Sequence, residues 1–567
     1  LFRSRIRRSY ITFCCDIATC GIDGISSHIT FCRDIATFSI DRIGCNGTTC
    51  AGFRLFCCNI TLFCIEVFCG DVARSCDGTT INCTDGCVFA CDGTGFKVAL
   101  GSQRAVFAKI SIKATADEDG KGGDLTITGE STLANGAQLE ADGTMTLGGD
   151  VDSSGKKGEN KITAESIAAA DGKDPAALTS TEGVNTTVET KGDTTLGDLT
   201  NNGTGTMTIT STPETEDGVQ GEGDVSVGAI ANADKGNVEV TAANGAVKVD
   251  GVIQNSGEGN KAGDVTISGT NGDVTVNGKI ANAAGNVTVQ ADNGSVETSA
   301  VTNAGGTVSL SAATTDEDGE ANVTVQADEN GDALTATAGN ITVSAGTKAE
   351  IQGNVKNTGS GEIGITAEGE AAIAGDLSNT EKGGTVSVAA GEGIEIGGSV
   401  DQGAGTINLT TTEGDIKAQG GIDATKVEAA EGTVTPNGDL TVDSSLVAGT
   451  VSASGQSVTV GTGTDSATMT IGEGGIEAAS LALNNTAATV EGSIALDGSL
   501  KVDGGSLTAN TEGTTVTIKP EAVNAVAGTE VDEICGVKTV TEINDDGSVT
   551  TKVYYPVKRS EERRVGK

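Results

Sequence analysis

Carboxylates dominate the chemistry open to this chain. Between residues 113 and 558 there are 67 Asp and Glu against 21 Lys; arginine is absent from 105 to 558, and His28 is the only histidine. Two carboxylates at the right separation can serve as acid and base on a glycosidic bond. A polysaccharide lyase or hydrolase built that way also needs convergent acids or a base beside cationic groups, and usually an aromatic ring against the sugar. This stretch offers no Arg, His, Trp or Phe. Its scattered acids single out no pair, so they read as solvated turn and face residues, and no catalytic residue is assigned.

Hard-oxygen clusters are the next chemistry. Asp117-Glu118-Asp119-Gly120, Asp316-Glu317-Asp318-Gly319 and Asp328-Glu329-Asn330-Gly331-Asp332 are acidic turns rich in calcium-type ligands. They lack EF-hand spacing and the glycine-rich nonapeptide period of calcium-binding β-rolls. They are expected to be solvated turns, and no metal ligand, cofactor or cofactor-binding residue is assigned. The sequons Asn286-Val287-Thr288 and Asn340-Ile341-Thr342 fall inside expected strands and follow from Asn and Thr abundance. Cys535 is an isolated thiol, and His28 receives no role.

The elements that would position any site are set by a repeated phrase. It occurs as Gly263-Asp264-Val265-Thr266-Ile267, Gly272-Asp273-Val274-Thr275-Val276 and Gly285-Asn286-Val287-Thr288-Val289. Alternation along a strand sends Val265 and Ile267 inward and Thr266 outward, and likewise Val274/Val276 and Val287/Val289. Gly and Asn flank these strands, where tight bends or positive φ are needed. Ile341, Ile363, Val386, Ile407 and Val427 keep the spacing. The period predicts an all-β fold, a parallel β-solenoid with coils of about 20–23 residues and two short strands per coil. At roughly 4.8 Å per coil, about 20 coils make a rod on the order of 90–100 Å long. Its end strands would be adhesive unless capped, and the sequence shows no cap. A disordered linker would lack regular aliphatic pairs. A two-sheet sandwich array would need longer strands and core aromatics.

Composition agrees with a thin aliphatic core. The chain has 567 residues, 83 Gly, five Pro, no Trp and a net charge of −42, with 37% hydrophobic and 2% aromatic residues. Charge of one sign keeps such a repeat soluble. It argues against nucleic acid, whose phosphates need Lys and Arg. No run of 18 apolar residues occurs, so no membrane span is expected.

The averages conceal seams. All 11 Phe lie at or before Phe107, and 14 of the 15 Cys at or before Cys91. A disulfide-bonded cap is one reading of this start. No CxxC occurs, and the adjacent pairs Cys14-Cys15 and Cys57-Cys58 suit neither a cap nor a metal site. Opposite-strand translation is another reading. Read in antisense, residues 33–41 are compatible with Val-Asp-Ala-Lys-Gly-Gly-Asp-Val-Thr, the repeat phrase itself. Before Lys97 there is no Lys, Pro or Gln and a single Glu, Glu66, as antisense of such repeats requires. Residues 1–111 are therefore expected to be antisense or mis-assembled translation, and 112–531 the solenoid. Residues 532–558 are expected to form a terminal hairpin around Asn544-Asp545-Asp546-Gly547, or the start of a following module. The tail Arg559-Ser560-Glu561-Glu562-Arg563-Arg564-Val565-Gly566-Lys567 resembles a translated sequencing adapter, an artefact to set aside. A chain that opens on Leu1 and closes on such a tail is expected to be a fragment.

Over 112–531, phrases such as Gly272-Asp273-Val274-Thr275-Val276 and Gly384-Thr385-Val386-Ser387-Val388 resemble the passenger regions of filamentous-haemagglutinin-type and autotransporter adhesins. The likeness rests on composition and a period near 20 residues, with no signature residue to carry over. It implies a right-handed parallel β-helix, secretion and a place at the bacterial cell surface. It also implies a non-enzymatic structural rod that attaches to surface glycans or host proteins, and an outer-membrane translocator not contained in this chain. Scarce cysteine fits passage through a pore. A β-helix polysaccharide lyase or hydrolase is the alternative, and a passive surface-layer or biofilm matrix protein a third.

Overall fold

The computed structural model describes side chains through most of residues 112–509, with breaks at 115–122, 128, 157, 214–220, 222, 257–262, 315–318, 463–464 and 498–499. Outside that span it describes only the backbone of short strands. Every regular element among the described residues is a β-strand. The chain divides into Leu1–Gly245 and Ala246–Lys567, and each unit is a parallel β-solenoid, with about 16 turns in all.

In the second unit a coil has three strands rather than the two expected. Asn286–Ala291, Val296–Thr298 and Val301–Asn303 make one such coil. The next begins at Thr307–Ala312, which pairs in parallel with the first strand: Val287 lies beside Val308 and Val289 beside Leu310. Val296 likewise stacks on Val274, and Val301 on Ile280. The third strand was missed because it carries one aliphatic and ends on Asn, too short to show alternation. Fewer turns than the expected 20 result because some coils exceed the expected length: Val301 and Leu334, neighbours in register on adjacent coils, are separated by 33 positions in the chain.

The inward positions are as the phrase requires. Val265, Ile267, Val274, Val287 and Val289 are fully buried, while Thr266 and Thr288 are half-buried on the outside. Each buried aliphatic contributes about 1.5–3 kcal/mol. Turn glycines admit the close stacking: Gly306 has a φ of +74°, and a Cβ there would stand 1.8 Å from the Gly285 carbonyl oxygen. From residue 422 onward the corners straighten into continuous bent strands, Ile422–Pro436, Leu440–Val460 and Ala467–Val490, with register shifts at the bends.

A cap exists where none was expected. Leu500–Thr511 pairs in parallel with the preceding coil, and Thr514–Ile518 then folds back on it antiparallel, Leu507 opposite Ile518. An antiparallel return covers part of the edge that a further coil would use. Beyond it, Lys538–Ile543 and Val549–Tyr554 form an antiparallel hairpin.

The first unit repeats the plan. Asn185–Thr190, Thr194–Thr195 and Leu199–Asn201 are followed by Met207–Ser211, Val225–Val227 and Ile230–Asn232. Parallel pairing also precedes Ile112, where the repeat was expected to open: Val88–Asp92 runs beside Ser111–Thr115, and Ala105–Ala108 beside Ser131–Ala134.

Replacing Leu310, fully buried between Val289 and Val343, by Ala should cost about 2–5 kcal/mol. Ser309→Ala, pointing outward on the same strand, should stay within about ±0.5 kcal/mol. Hydrogen exchange resolved by coil is the suitable measurement, since stability in a repeat array is local.

Candidate functional site

Inside the coils, polar side chains converge on the turns. Each third strand of several coils ends in Asn: Asn201 and Asn232 in the first unit, and Asn255, Asn282, Asn303, Asn357 and Asn379 in the second. All are 0–2% exposed. Asn303 shows the arrangement. Its Oδ1 accepts the Gly305 amide at 3.2 Å, and its Nδ2 donates to the Gly306 carbonyl at 3.2 Å and to the Asn340 carbonyl on the next coil. Asn379 Nδ2 similarly donates to Gly384 of its own turn at 2.9 Å and to Thr406 of the next coil at 2.8 Å. The ladder is interrupted at Ala336, which occupies the register position between Asn303 and Asn357. Sequence reading overlooked these residues. The signal was present as Val301-Thr302-Asn303, Val355-Lys356-Asn357 and Leu377-Ser378-Asn379 at coil spacing.

Outside, the acids of the repeat phrase act along the stacking direction. Asp264 Oδ1 accepts the Asn286 amide at 2.9 Å, Asp273 the Ser295 amide at 2.8 Å, and Asp376 the Ser399 amide at 2.8 Å. Asp193 and Asp198 do the same in the first unit, for Asp224 and Ala229. The Asn residues of the two sequons have this task as well: Asn286 and Asn340 stand first in their strands and accept from Thr307 and Glu362. A carboxylate that accepts a backbone N–H is held in its charged form. Accordingly, Asp415 is lowered from the ordinary carboxylate value, first by the Thr433 amide and then by Lys417.

The acidic turn 328–332 closes on itself. Asp328 Oδ1 accepts the amides of Asn330 and Asp332 at 2.8 and 3.0 Å, and those bonds lower its pKa. Asp332 pairs with Lys356 at 2.6 Å and accepts from Asn354. Residues 117–120 and 316–318 lie outside the described residues, as do His28 and the side chains of every cysteine. No group of three or more metal-type ligands converges among the described residues.

One carboxylate stack stands apart. Asp401 and Asp423 are in register on adjacent coils, and Asp443 faces them from the next. Asp401 accepts the Gly403 amide, while Asp443 accepts from the buried Gln402 and from Thr462. Asp423 is raised above the ordinary value, chiefly by burial and then by Asp443 and Asp401.

Two surface depressions lie elsewhere, on the first-strand face. In the second unit one of about 210 Å³ is lined by Thr342, Glu362, Gly364, Thr385 and Ser387. It exists because Gly364 stands in register between Thr342 and Ser387, where a Cβ would touch nothing within 4 Å. In the first unit one of about 290 Å³ is lined by Thr187, Glu189, Lys191, Thr208 and Thr210, and Glu189 is engaged by Lys161 at 2.7 Å. Each depression contains a single carboxylate and a field of hydroxyls. Such a surface can exchange hydrogen bonds with a hydroxylated or amide-bearing partner.

Asn303→Leu should destabilise its coil by about 1–3 kcal/mol, since turn amide and carbonyl groups lose their buried partner. Protection against hydrogen exchange should fall at 303–307 and on the facing turn at 340. Charge effects should have opposite signs at two positions. Asp415, lowered when folded, contributes stability above the unfolded carboxylate pKa and loses it as pH falls through the folded value. Asp423, raised when folded, opposes folding once ionised. Asp423→Asn should therefore raise the melting temperature at neutral pH, with the gain disappearing in acid where Asp423 is protonated.

No family model matches this chain, and neither the curated proteins nor the solved structures provide a match.

Proposed function

We propose that this chain is a non-enzymatic structural part of an exported bacterial surface adhesin, attaching through its outer faces to surface glycans or host proteins. The observation that supports this reading is the use of the acids. The repeat-phrase carboxylates accept backbone amides from the neighbouring coil, which leaves a hydroxyl- and amide-covered first face as the contact surface. Export accords with the absence of cysteine from 92 to 534, since early disulfides would obstruct passage through a pore. Among the described residues no helix is long and apolar enough to cross a membrane.

One observation favours the carbohydrate-active alternative. Stacked coils stand about 4.8 Å apart, close to the roughly 5–5.5 Å that separates the carboxyls of a retaining glycosidase. Asp423 is raised, chiefly by burial and then by Asp443 and Asp401, the direction a general acid requires. Two of the three carboxylates are nevertheless occupied as acceptors within the stack, and the depressions lie on other residues.

The full chain should bind immobilised glycans or matrix proteins saturably, with soluble competitor displacing it and with binding retained in Asp423→Asn. Release of sugar fragments from a polysaccharide, abolished by Asp423→Asn, would establish the enzyme instead. Self-assembly without binding to any presented surface would favour a passive matrix protein.

A further inference from the structure

Asn-Gly is the dipeptide most open to self-modification, because glycine places no side chain in the way of ring closure. The glycine nitrogen, after losing its proton, attacks the asparagine Cγ. A new bond forms between that nitrogen and Cγ, the Cγ–Nδ2 bond breaks and ammonia leaves. Water then opens the five-membered imide to aspartate or isoaspartate. The reaction needs a side-chain amide free to rotate and a glycine N–H not already donating.

Eight Asn-Gly pairs lie among the described residues, beginning at residues 135, 202, 244, 271, 277, 293, 330 and 437. Seven are restrained. Gly136 and Gly203 donate to the side chains of Asn160 and Asn201 at 2.9 and 3.1 Å. Gly294, Gly331 and Gly438 donate to the carbonyls of Ala313, Asp328 and Gly420 at 3.0–3.1 Å. In the remaining two the amide is tied: Asn244 Nδ2 to the Gly221 carbonyl, and Asn277 Nδ2 to Asp250 at 2.9 Å. Asn271-Gly272 differs from all of them. It is the exposed turn between Val265–Gly269 and Val274–Val276, and among the described residues neither the Asn271 side chain nor the Gly272 amide makes a hydrogen bond.

We propose that Asn271 is a self-deamidation site, converting through a succinimide with Gly272 to aspartate and isoaspartate. The position gives the event a structural consequence. Gly272 packs under Gly294, where a Cβ would meet the Gly272 carbonyl oxygen at 2.7 Å. Asp273, the next residue, holds the Ser295 amide of the following coil. Isoaspartate inserts an extra carbon into the backbone at this turn, which displaces both contacts and loosens the stack locally.

The test is peptide mapping of the full-length protein by mass spectrometry during incubation at mildly alkaline pH, with isoaspartyl methyl-transfer labelling. Asn271 should convert severalfold faster than Asn277 and Asn293 in the same molecules, and faster as pH rises. Gly272→Ala should slow it severalfold without altering the other sites. Asp250→Ala, which frees the Asn277 amide, should raise conversion at Asn277 and leave Asn271 unchanged. This second variant keeps the proposal testable if Gly272→Ala does not fold. Conversion of Asn271 no faster than Asn277, or no response of Asn277 to Asp250→Ala, would overturn it.

Discussion

Buried turn amides constrain everything else in these coils. Three strands must close a narrow loop, so the backbone bends sharply between them, and the inner side of the bend cannot reach water. A peptide group left unpaired there costs about 1–3 kcal/mol. Asn is suited to the task because it donates and accepts at once. Asn303 and Asn379 join their own turn to that of the next coil. The same bond that satisfies one coil therefore positions the next, and register propagates along with it. Gln402, one coil on from Asn379, is buried as well, but its side chain meets side chains instead, donating to Asp443 and accepting from Thr425.

The outer edge follows a parallel logic with charge. Asp264, Asp273 and Asp376 place an acceptor above the first amide of the facing coil. Part of the charge behind the net −42 thus has a structural use, and charge of one sign also disfavours aggregation. Asp415, which accepts the Thr433 amide and meets Lys417, is lowered. Asp423 is raised, chiefly by burial and then by the neighbouring Asp443 and Asp401.

The aliphatic half of this design was legible in the sequence. Val265, Ile267, Val287 and Val289 announced their inward direction by alternation, and burial agrees. The third strand was not legible by the same rule, because Ile280-Ala281-Asn282 is too short to alternate and its last residue is a buried polar one. The fold-back of Thr514–Ile518 onto Leu500–Thr511 carried no turn signature that marked it as a cap.

Local sequence alone determined two of the three strands of a coil, the inward aliphatics and the basic coil period, since these depend on side-chain alternation within a few residues. The tertiary structure decided what the polar residues do, because their partners lie one coil away. An Asp before a strand looks solvated until the next coil brings Ser295 to Asp273. An Asn after a strand looks like a turn residue until it is found buried between two turns. By the same reasoning, Asn271 resembles the seven other described Asn-Gly pairs in sequence, and only the surrounding structure leaves it unrestrained.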